Sequence, residues 1–527
     1  MTSEAARSPK SFNAKYNNHT MNTGQKFFTR NHCITLAIIL LIALAVRLLG
    51  VATRFTYCDE AFAVLFAEKG PAAMLQGTLT VDVNGAAADI HPLAYYTMLW
   101  GWMKVFGESL VSVRLLSILF GLGTVIMAYF LLRAMFANRR LVLLGTLGVA
   151  LSPFQVHYSQ EVRMYALLTF ALSAATYAFW KGLQSSQRRW WVLFAFCAAL
   201  ATYTQNLAVF YLVPLALTPV LLRRWDKVKM TFLAGTGALL LYLPWLLQLP
   251  AQFAKIQNGY WVERPTLSTV LNTLLSFVTN LPVNPPWIPL ALTVALLVPT
   301  LAAYQTFLAV KARQPGIRRG LWLAYMAFAP GLLMFIFSQW KPVYIERALL
   351  CSAVMFWLWM AWALTTTRLP AFPRMISFAL LAAGIILGLV MQVTYTGFPY
   401  GPYQALDASL HARVQSGDII LHSNKLTVFP AIYFDRSLKQ EFITDPPGPG
   451  DTLAPATQKV LGVQASPSLD VAIGNARKVW FIIFQESIDE AKSAGLATHP
   501  DIAWLDAHFQ RESVETWGSV LLYVYKR

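Results

Sequence analysis

Two carboxylates stand side by side in Tyr57-Cys58-Asp59-Glu60-Ala61-Phe62, and a carboxylate is the simplest side chain able to take a proton from a reacting hydroxyl. The segment Asp89-Ile-His-Pro-Leu-Ala-Tyr-Tyr adds an imidazole at His91, which can meet a phosphate, a metal or a carboxylate. In a third segment, Val156 to Tyr165, Glu161 and Arg163 stand among His157, Tyr158, Ser159 and Gln160. A fourth, Gln339 to Arg347, carries Lys341, Tyr344, Glu346 and Arg347. Acids that accept a proton, combined with cations that hold a departing phosphate, are the equipment for transfer of a group from a phosphate. Each segment also has a plain structural reading. Asp59 and Asp89 could cap helices, Pro92 suits a first helical turn, and Lys and Arg at helix ends snorkel to the headgroups. The chemical reading needs all four segments on one face.

That requirement turns on the elements that carry them. The chain has 527 residues, 56% hydrophobic and 13% charged, with a mean hydropathy of +0.49. A soluble globular chain carries roughly 25% charged residues, so an ordinary soluble enzyme is excluded. Apolar runs near the ~20 residues needed to cross a bilayer recur at about 34–53, 111–132, 141–157, 164–181, 190–204, 206–222, 230–248, 284–310, 320–338, 346–367 and 375–396. The expected fold is a polytopic α-helical membrane protein of about 11 transmembrane helices. Lys and Arg cluster after every second run: Arg133, Arg139, Arg140; Lys181, Arg188, Arg189; Arg223, Arg224, Lys227, Lys229; Lys311, Arg313, Arg318, Arg319; and Arg368, Arg374. The positive-inside rule puts these loops and the N-terminal arm, residues 1–33, in the cytoplasm. The first run is longer than a signal-peptide core and lacks a cleavage pattern, so it reads as a retained helix. Pro92–Phe106 is short and polar-flanked, and counting it as a span would invert every later loop. It reads as a helix on the extracytoplasmic membrane surface.

Acidic residues played no part in that topology and test it. Up to Tyr400 they are Glu4, Asp59, Glu60, Glu68, Asp82, Asp89, Glu108, Glu161, Asp226, Glu263 and Glu346, and only Glu4 and Asp226 fall inside. The net charge of +17 sits in short loops, which points away from nucleic acid. From about residue 397 the composition changes. Strand-like runs at Asp418–His422, Val479–Phe484 and Val520–Tyr525, a helix-like stretch at Ser487–Ser493 and a Pro/Gly loop at Pro446–Gly450 predict a small extracytoplasmic α/β domain over 397–527. Four scattered cysteines lack metal-ligand spacing. The outer stretch Tyr260-Trp261-Val262-Glu263-Arg264 could offer an aromatic surface for a sugar, although aromatics at this depth also serve as interfacial anchors.

Over residues 34–396 the chain resembles the membrane-embedded GT-C glycosyltransferases, in the branch of protein O-mannosyltransferases, lipid A aminoarabinose transferases and related bacterial polyprenyl-phosphate-sugar enzymes. The resemblance rests on Asp59-Glu60 after the first helix, His91-Pro92 with Tyr95-Tyr96, Ser159-Gln160-Glu161-x-Arg163-x-Tyr165, and Tyr344 with Arg347. His91-Pro92-Leu93 departs from the pattern in lacking a second proline, and Tyr344-Ile-Glu-Arg347 in replacing an Arg-Tyr pair. The resemblance implies inverting transfer from a polyprenyl-monophosphate sugar to an acceptor protein, lipid or polysaccharide at the outer face of the inner membrane. Asp59 is then the expected general base, with Glu60 and Glu161 as the other acids. His91, Arg163, Lys341, Tyr344 and Arg347 are expected around the donor phosphate. Some relatives use a divalent metal, for which Asp59, His91 and Glu161 would be the ligands, and others use none. The alternatives are a transporter or flippase of a lipid-linked sugar, which would favour mid-span charges such as Arg47 and paired halves, and an inactive scaffold.

Overall fold

The computed structural model describes residues 30–258, 261–366, 369–445 and 453–527. The Pro/Gly loop at 446–450, Tyr260, Arg368 and most of the N-terminal arm lie outside the described residues.

The chain opens with α1 (Arg30–Leu48), then three short helices in the first long loop, α2 (Cys58–Ala67), α3 (Pro71–Leu79) and α4 (Ala94–Phe106). The bundle continues through α5 (Leu110–Met135), α6 (Arg139–Leu151), α7 (Pro153–Ser159), α8 (Tyr165–Gln184), α9 (Arg189–Thr204), α10 (Val209–Leu221) and α11 (Trp225–Leu246). A second long loop contributes α12 (Leu249–Asn258) and α13 (Leu267–Val278), followed by α14 (Ile288–Lys311), α15 (Ile317–Trp340), α16 (Leu350–Thr366) and α17 (Ala371–Thr394).

Each of the eleven predicted runs is helical. Among the described residues, though, six helices are individually long and apolar enough to cross a bilayer, or seven if the bent pair α6 and α7, 50° apart at Ser152–Pro153, is one span. The helices that fall short are too short, as α9 and α10 are, or diluted by polar side chains, as α8 is by its Thr, Ser, Gln and Lys residues. Neighbouring helices bury α8, so it need not be uniformly apolar. The span at Glu346–Thr365 is 94% buried over its apolar window and forms the axis of the bundle, whereas that at Trp225–Leu246 is 22% buried and lies outside. Leu41, Phe232, Leu332 and Ile386 are all at least 60% exposed. So broad an apolar belt is what lipid covers, and the chain is a multi-pass membrane protein.

Basic loops meet at one end of the bundle. Arg139 reaches Thr35 (3.5 Å), Gln184 donates to the Ala134 carbonyl (3.0 Å), Lys227 to that of Ser185 (3.0 Å) and Arg319 to that of Met135. The acidic segments gather at the other end.

Two helix starts differ from expectation. The N-cap of α2 is Tyr57, so Asp59 and Glu60 stand in its first turn, where the helix dipole favours negative charge. The surface helix begins at Ala94 with Leu93 at its N-cap, so Asp89 is no cap. Its carboxylate turns back to the Ile90 amide (2.6 Å) and the His91 ring (2.8 Å). Capping is thus excluded for Asp59 and Asp89.

Beyond α17, helices α18 (Tyr403–Arg413), α19 (Lys425–Phe434) and α20 (Pro455–Leu461) accompany strands β1 (Ile419–His422), β2 (Gln440–Ile443), β3 (Ala465–Ser466), β4 (Lys478–Phe484), β5 (Gln510–Trp517) and β6 (Val520–Lys526). They form one sheet of order β3-β2-β1-β4-β6-β5, parallel from β3 to β4 and antiparallel at β6 and β5. The sheet domain docks on the first-loop helices. Phe429 of α19 packs against Phe62 of α2 (5.9 Å between ring centroids), Thr457 of α20 donates to the Gly77 carbonyl of α3 (2.8 Å), and Arg436 bridges Glu68 (2.7 Å) and Glu108 (2.8 Å).

Candidate active site

The site is assembled from the chain breaks at the acidic end of the bundle: the turn entering α2, the break between α7 and α8, the approach to α16, and the exit of α17. Ser159 and Gln160 fix the second of these. Gln160 donates to the carbonyls of Arg47 (2.8 Å) and Leu49 (2.7 Å) at the end of α1, and Ser159 takes a hydrogen bond from Arg47 Nε (3.2 Å). Gly121 of α5 makes room for this contact, since a Cβ there would fall 2.2 Å from Ser159 Oγ. The break is thereby nailed to α1, and the next residues, Glu161 and Arg163, point from a fixed backbone.

Glu161 is buried, its Oε1 meeting His157 Nε2 (2.9 Å) and Arg54 (3.4 Å) and its Oε2 taking the Tyr57 hydroxyl (3.0 Å). Burial alone would raise its pKa, but His157, Arg54 and Arg347 more than offset that and hold the carboxyl at about 2. Polarity along this network is set by the backbone. With both Gln160 N–H groups spent on carbonyls, its oxygen takes the Gln392 amide (2.6 Å), which leaves the Gln392 oxygen facing His157 Nδ1 (2.5 Å).

Glu60 is also buried, but it faces Arg114, which clamps both its oxygens (3.0 and 2.7 Å), and the Val162 amide adds a third contact (3.1 Å). Arg114 spends its remaining donors on the carbonyls of Val51 (2.8 Å), Arg54 (3.0 Å) and Phe55 (3.4 Å). Placed as a catalytic acid from the sequence, Glu60 thus ties α5 to the turn that presents its neighbour.

Asp59 is different. Its side chain is 33% exposed, and its nearest cation is Arg163 at 3.7 Å. Arg163 is buried, donates to the Tyr96 hydroxyl (3.0 Å), and keeps an Nε–H with no partner among the described residues. Arg347 lies between the rings of Tyr165 (5.3 Å) and Trp261 (5.5 Å), and its buried Nε likewise has no hydrogen-bond partner among the described residues. Two guanidinium groups near Asp59 therefore each retain an unused donor.

His91 is held by Asp89, whose pKa settles at about 2 because His91, the Ile90 amide and Arg163 outweigh its burial. Tyr344 gives its hydroxyl to Thr273 of α13 (2.9 Å) rather than to the cluster. Lys341, at the end of α15, forms no ion pair with the site carboxylates among the described residues. Asp59, His91 and Glu161 do not form a metal site. Among the described residues no three His, Cys, Asp or Glu side chains gather as ligands, and Glu161 and His91 are bound to other partners. The donor set does not fit a metal ion.

Sequence reasoning missed Arg54, Arg114 and Tyr400, whose hydroxyl accepts from Arg54 (3.1 Å). The signal was available for the two arginines: Arg54 lies on the side where positive charge is scarce, and Arg114 sits inside an apolar run.

Residues 90–247 match the family model described as Dolichyl-phosphate-mannose-protein mannosyltransferase. The Undecaprenyl phosphate-alpha-4-amino-4-deoxy-L-arabinose arabinosyl transferase of Pseudomonas aeruginosa (strain UCBPP-PA14) is 29% identical over 177 residues, which is 32% of this chain and 32% of that protein. The chain thus matches about a third of the length of the curated relatives. ArnT from Cupriavidus metallidurans in the apo state superimposes with a TM-score of 0.60 over 94% of this chain and 98% of its own, at 12% identity. Arabinofuranosyltransferase AftD from Mycobacteria gives 0.51 over 95% of this chain and 40% of its own, at 14% identity. The chain resembles the GT-C glycosyltransferases, and it shares the fold of ArnT over almost its whole length.

Proposed function

We propose that this protein is an inverting glycosyltransferase that moves a sugar from a polyprenyl-monophosphate donor to an acceptor hydroxyl on the extracytoplasmic face of the inner membrane. In this reading the basic end of the bundle and the N-terminal arm face the cytoplasm, residues 34–396 carry the reaction, and the sheet domain, 397–527, stands outside. The fold shared with ArnT, one structure of which is bound to undecaprenyl phosphate, supports the donor class.

The observation that carries the reading is one open carboxylate, Asp59, near two guanidinium groups, Arg163 and Arg347, whose buried Nε atoms have no hydrogen-bond partner among the described residues. Asp59 takes the acceptor proton as the acceptor oxygen attacks the anomeric carbon. The bond from that carbon to the phosphate oxygen breaks, and the electron pair leaves with the polyprenyl phosphate. Arg163 and Arg347 meet the charge growing on that oxygen, so they bind the transition state more strongly than the donor. Glu161, already surrounded by donors, is the counter-ion that holds Arg54 and Tyr57.

The test is release of free polyprenyl phosphate from a panel of polyprenyl-monophosphate sugars, with crude membrane acceptors present. Asp59→Asn is expected to lower release by about 10²–10⁴-fold while expression and folding stay normal. Wild-type activity in that variant would remove Asp59 as base. No release from any donor would shift the reading to a transporter, to be tested by translocation of lipid-linked sugar in vesicles.

A further inference from the structure

Sequence reasoning left the C-terminal domain without a role, and none of its side chains belongs to the reacting set described above. One residue at its threshold does enter the site. Tyr400, six residues past the end of α17, is buried, with its hydroxyl 3.1 Å from Arg54 Nη2 and 3.5 Å from Glu161 Oε1. Its ring lies 5.1 Å from the Arg54 guanidinium and packs edge-on against Tyr57 at 5.3 Å. It therefore contacts three of the groups that surround the Asp59 turn.

The backbone of Tyr400 is held by the sheet domain. Ser519, in the turn between β5 and β6, donates to the Tyr400 carbonyl, and Phe398 packs on Phe484 of β4 at 5.1 Å. Gly401 pairs with Thr56, three residues before Asp59, in an antiparallel bridge. A Cβ on Gly401 would fall 2.8 Å from both the Tyr403 ring and Val520, so the segment passes between α18 and β6 with no slack. The bridge and the ring contacts join the domain to the loop before α2 at two points.

We propose that Tyr400 is a positioning residue through which the sheet domain sets the geometry of Arg54, Tyr57 and Glu161, so that the domain completes the active site rather than merely capping it. The consequence for turnover rests on the function proposed above. The coupling itself does not, and it has a readout of its own.

Hydrogen–deuterium exchange on the full-length protein reads the amides of Glu161, Val162 and Arg163, more than two hundred residues from the substitution. In Tyr400→Ala and Gly401→Ala they are expected to exchange at least about tenfold faster, while β1 and β4 stay protected. Tyr400→Phe keeps the ring and loses only the hydroxyl, so its exchange should rise far less. Unchanged exchange at 161–163 in both Ala variants would overturn the proposal, and so would loss of protection across the whole sheet in Tyr400→Ala, which would mark a folding defect. Where wild type releases polyprenyl phosphate, Tyr400→Ala should lower kcat by about 10²-fold with KM changed less than threefold. Wild-type kcat in that variant would also overturn it. Absence of release from wild type sinks the donor reading alone, and the exchange data then decide the coupling.

Discussion

The acidic end of the bundle and the sheet domain both bury carboxyl groups, with opposite outcomes. At the bundle end Glu161 is enclosed by His157, Arg54 and Tyr57, and its pKa falls to about 2. In the sheet domain Asp407 of α18 is buried with neither oxygen hydrogen-bonded among the described residues, Asp435 nearby adds a like charge, and its pKa rises to about 8. Burial acts in the same direction at both places, and the neighbours decide the sign. Charge is kept where donors surround the acid and extinguished where none does.

The comparison is sharpest between adjacent residues of α2. Asp59→Asn should remove turnover and leave stability nearly unchanged, because its carboxylate is one third exposed and only 3.7 Å from one cation. Glu60→Gln should act first on stability. Arg114 would stay buried against three carbonyls without its counter-ion, a loss of about 3–5 kcal/mol. Thermal unfolding in detergent separates the two, and an unchanged midpoint for Glu60→Gln would show that the clamp does not carry the turn.

Next in size is the pH response of the two regions. Glu161 is depressed below its unfolded value of about 4.3, so its stabilisation is present above that pH and lost as pH falls toward 2. Asp407 runs the other way. The unfolded chain releases this proton near pH ~3.9 and the folded domain retains it to about 8, so stability falls with rising pH between those limits, by about 1.4 kcal/mol per unit. Asp407→Asn should abolish that slope and stabilise the sheet domain by roughly 3 kcal/mol at pH 7 relative to pH 5. Exchange protection of β1 and β4 measured at both pH values checks it, and a wild-type slope in the variant would place the proton elsewhere.

Much of this was legible in the sequence because it is local or periodic. Apolar runs announce helices, loop charges announce sides, and the three predicted strands match β1, β4 and β6 to within a residue, with β2, β3 and β5 missed. In Ser159-Gln160-Glu161-x-Arg163-x-Tyr165 each named residue has a partner, from Arg47 at one end to Arg347 at the other. What stayed hidden depends on partners far away in the chain. Nothing near Glu60 distinguishes it from Asp59; the difference is Arg114, which the rotation of α5 brings alongside. The resemblance implies Tyr344 as a phosphate ligand, but its hydroxyl meets Thr273 of α13, a partner about seventy residues away in the chain. Tyr400 carried no signal, since its place depends on how a separate sheet docks.

The smallest expected effect lies on the seam between the two regions. Arg436 bridges Glu68 and Glu108 at 2.7 and 2.8 Å, closer than Arg163 approaches Asp59, and distance alone would rank it as the stronger pair. Its side chain is 42% exposed and that of Glu108 48%, so water screens the charges and the ordered side chains lose entropy. Such pairs contribute about 0–1 kcal/mol. Docking instead rests on the buried contact of Phe429 with Phe62 and on the hydrogen bond from Thr457 to Gly77. Arg436→Ala should lower the unfolding midpoint by no more than a few degrees, less still at high salt, with turnover unchanged. A loss comparable to that of Glu60→Gln would mean that the seam is held by charge, and the contrast between wet and dry ion pairs would then fail at the junction it is meant to explain.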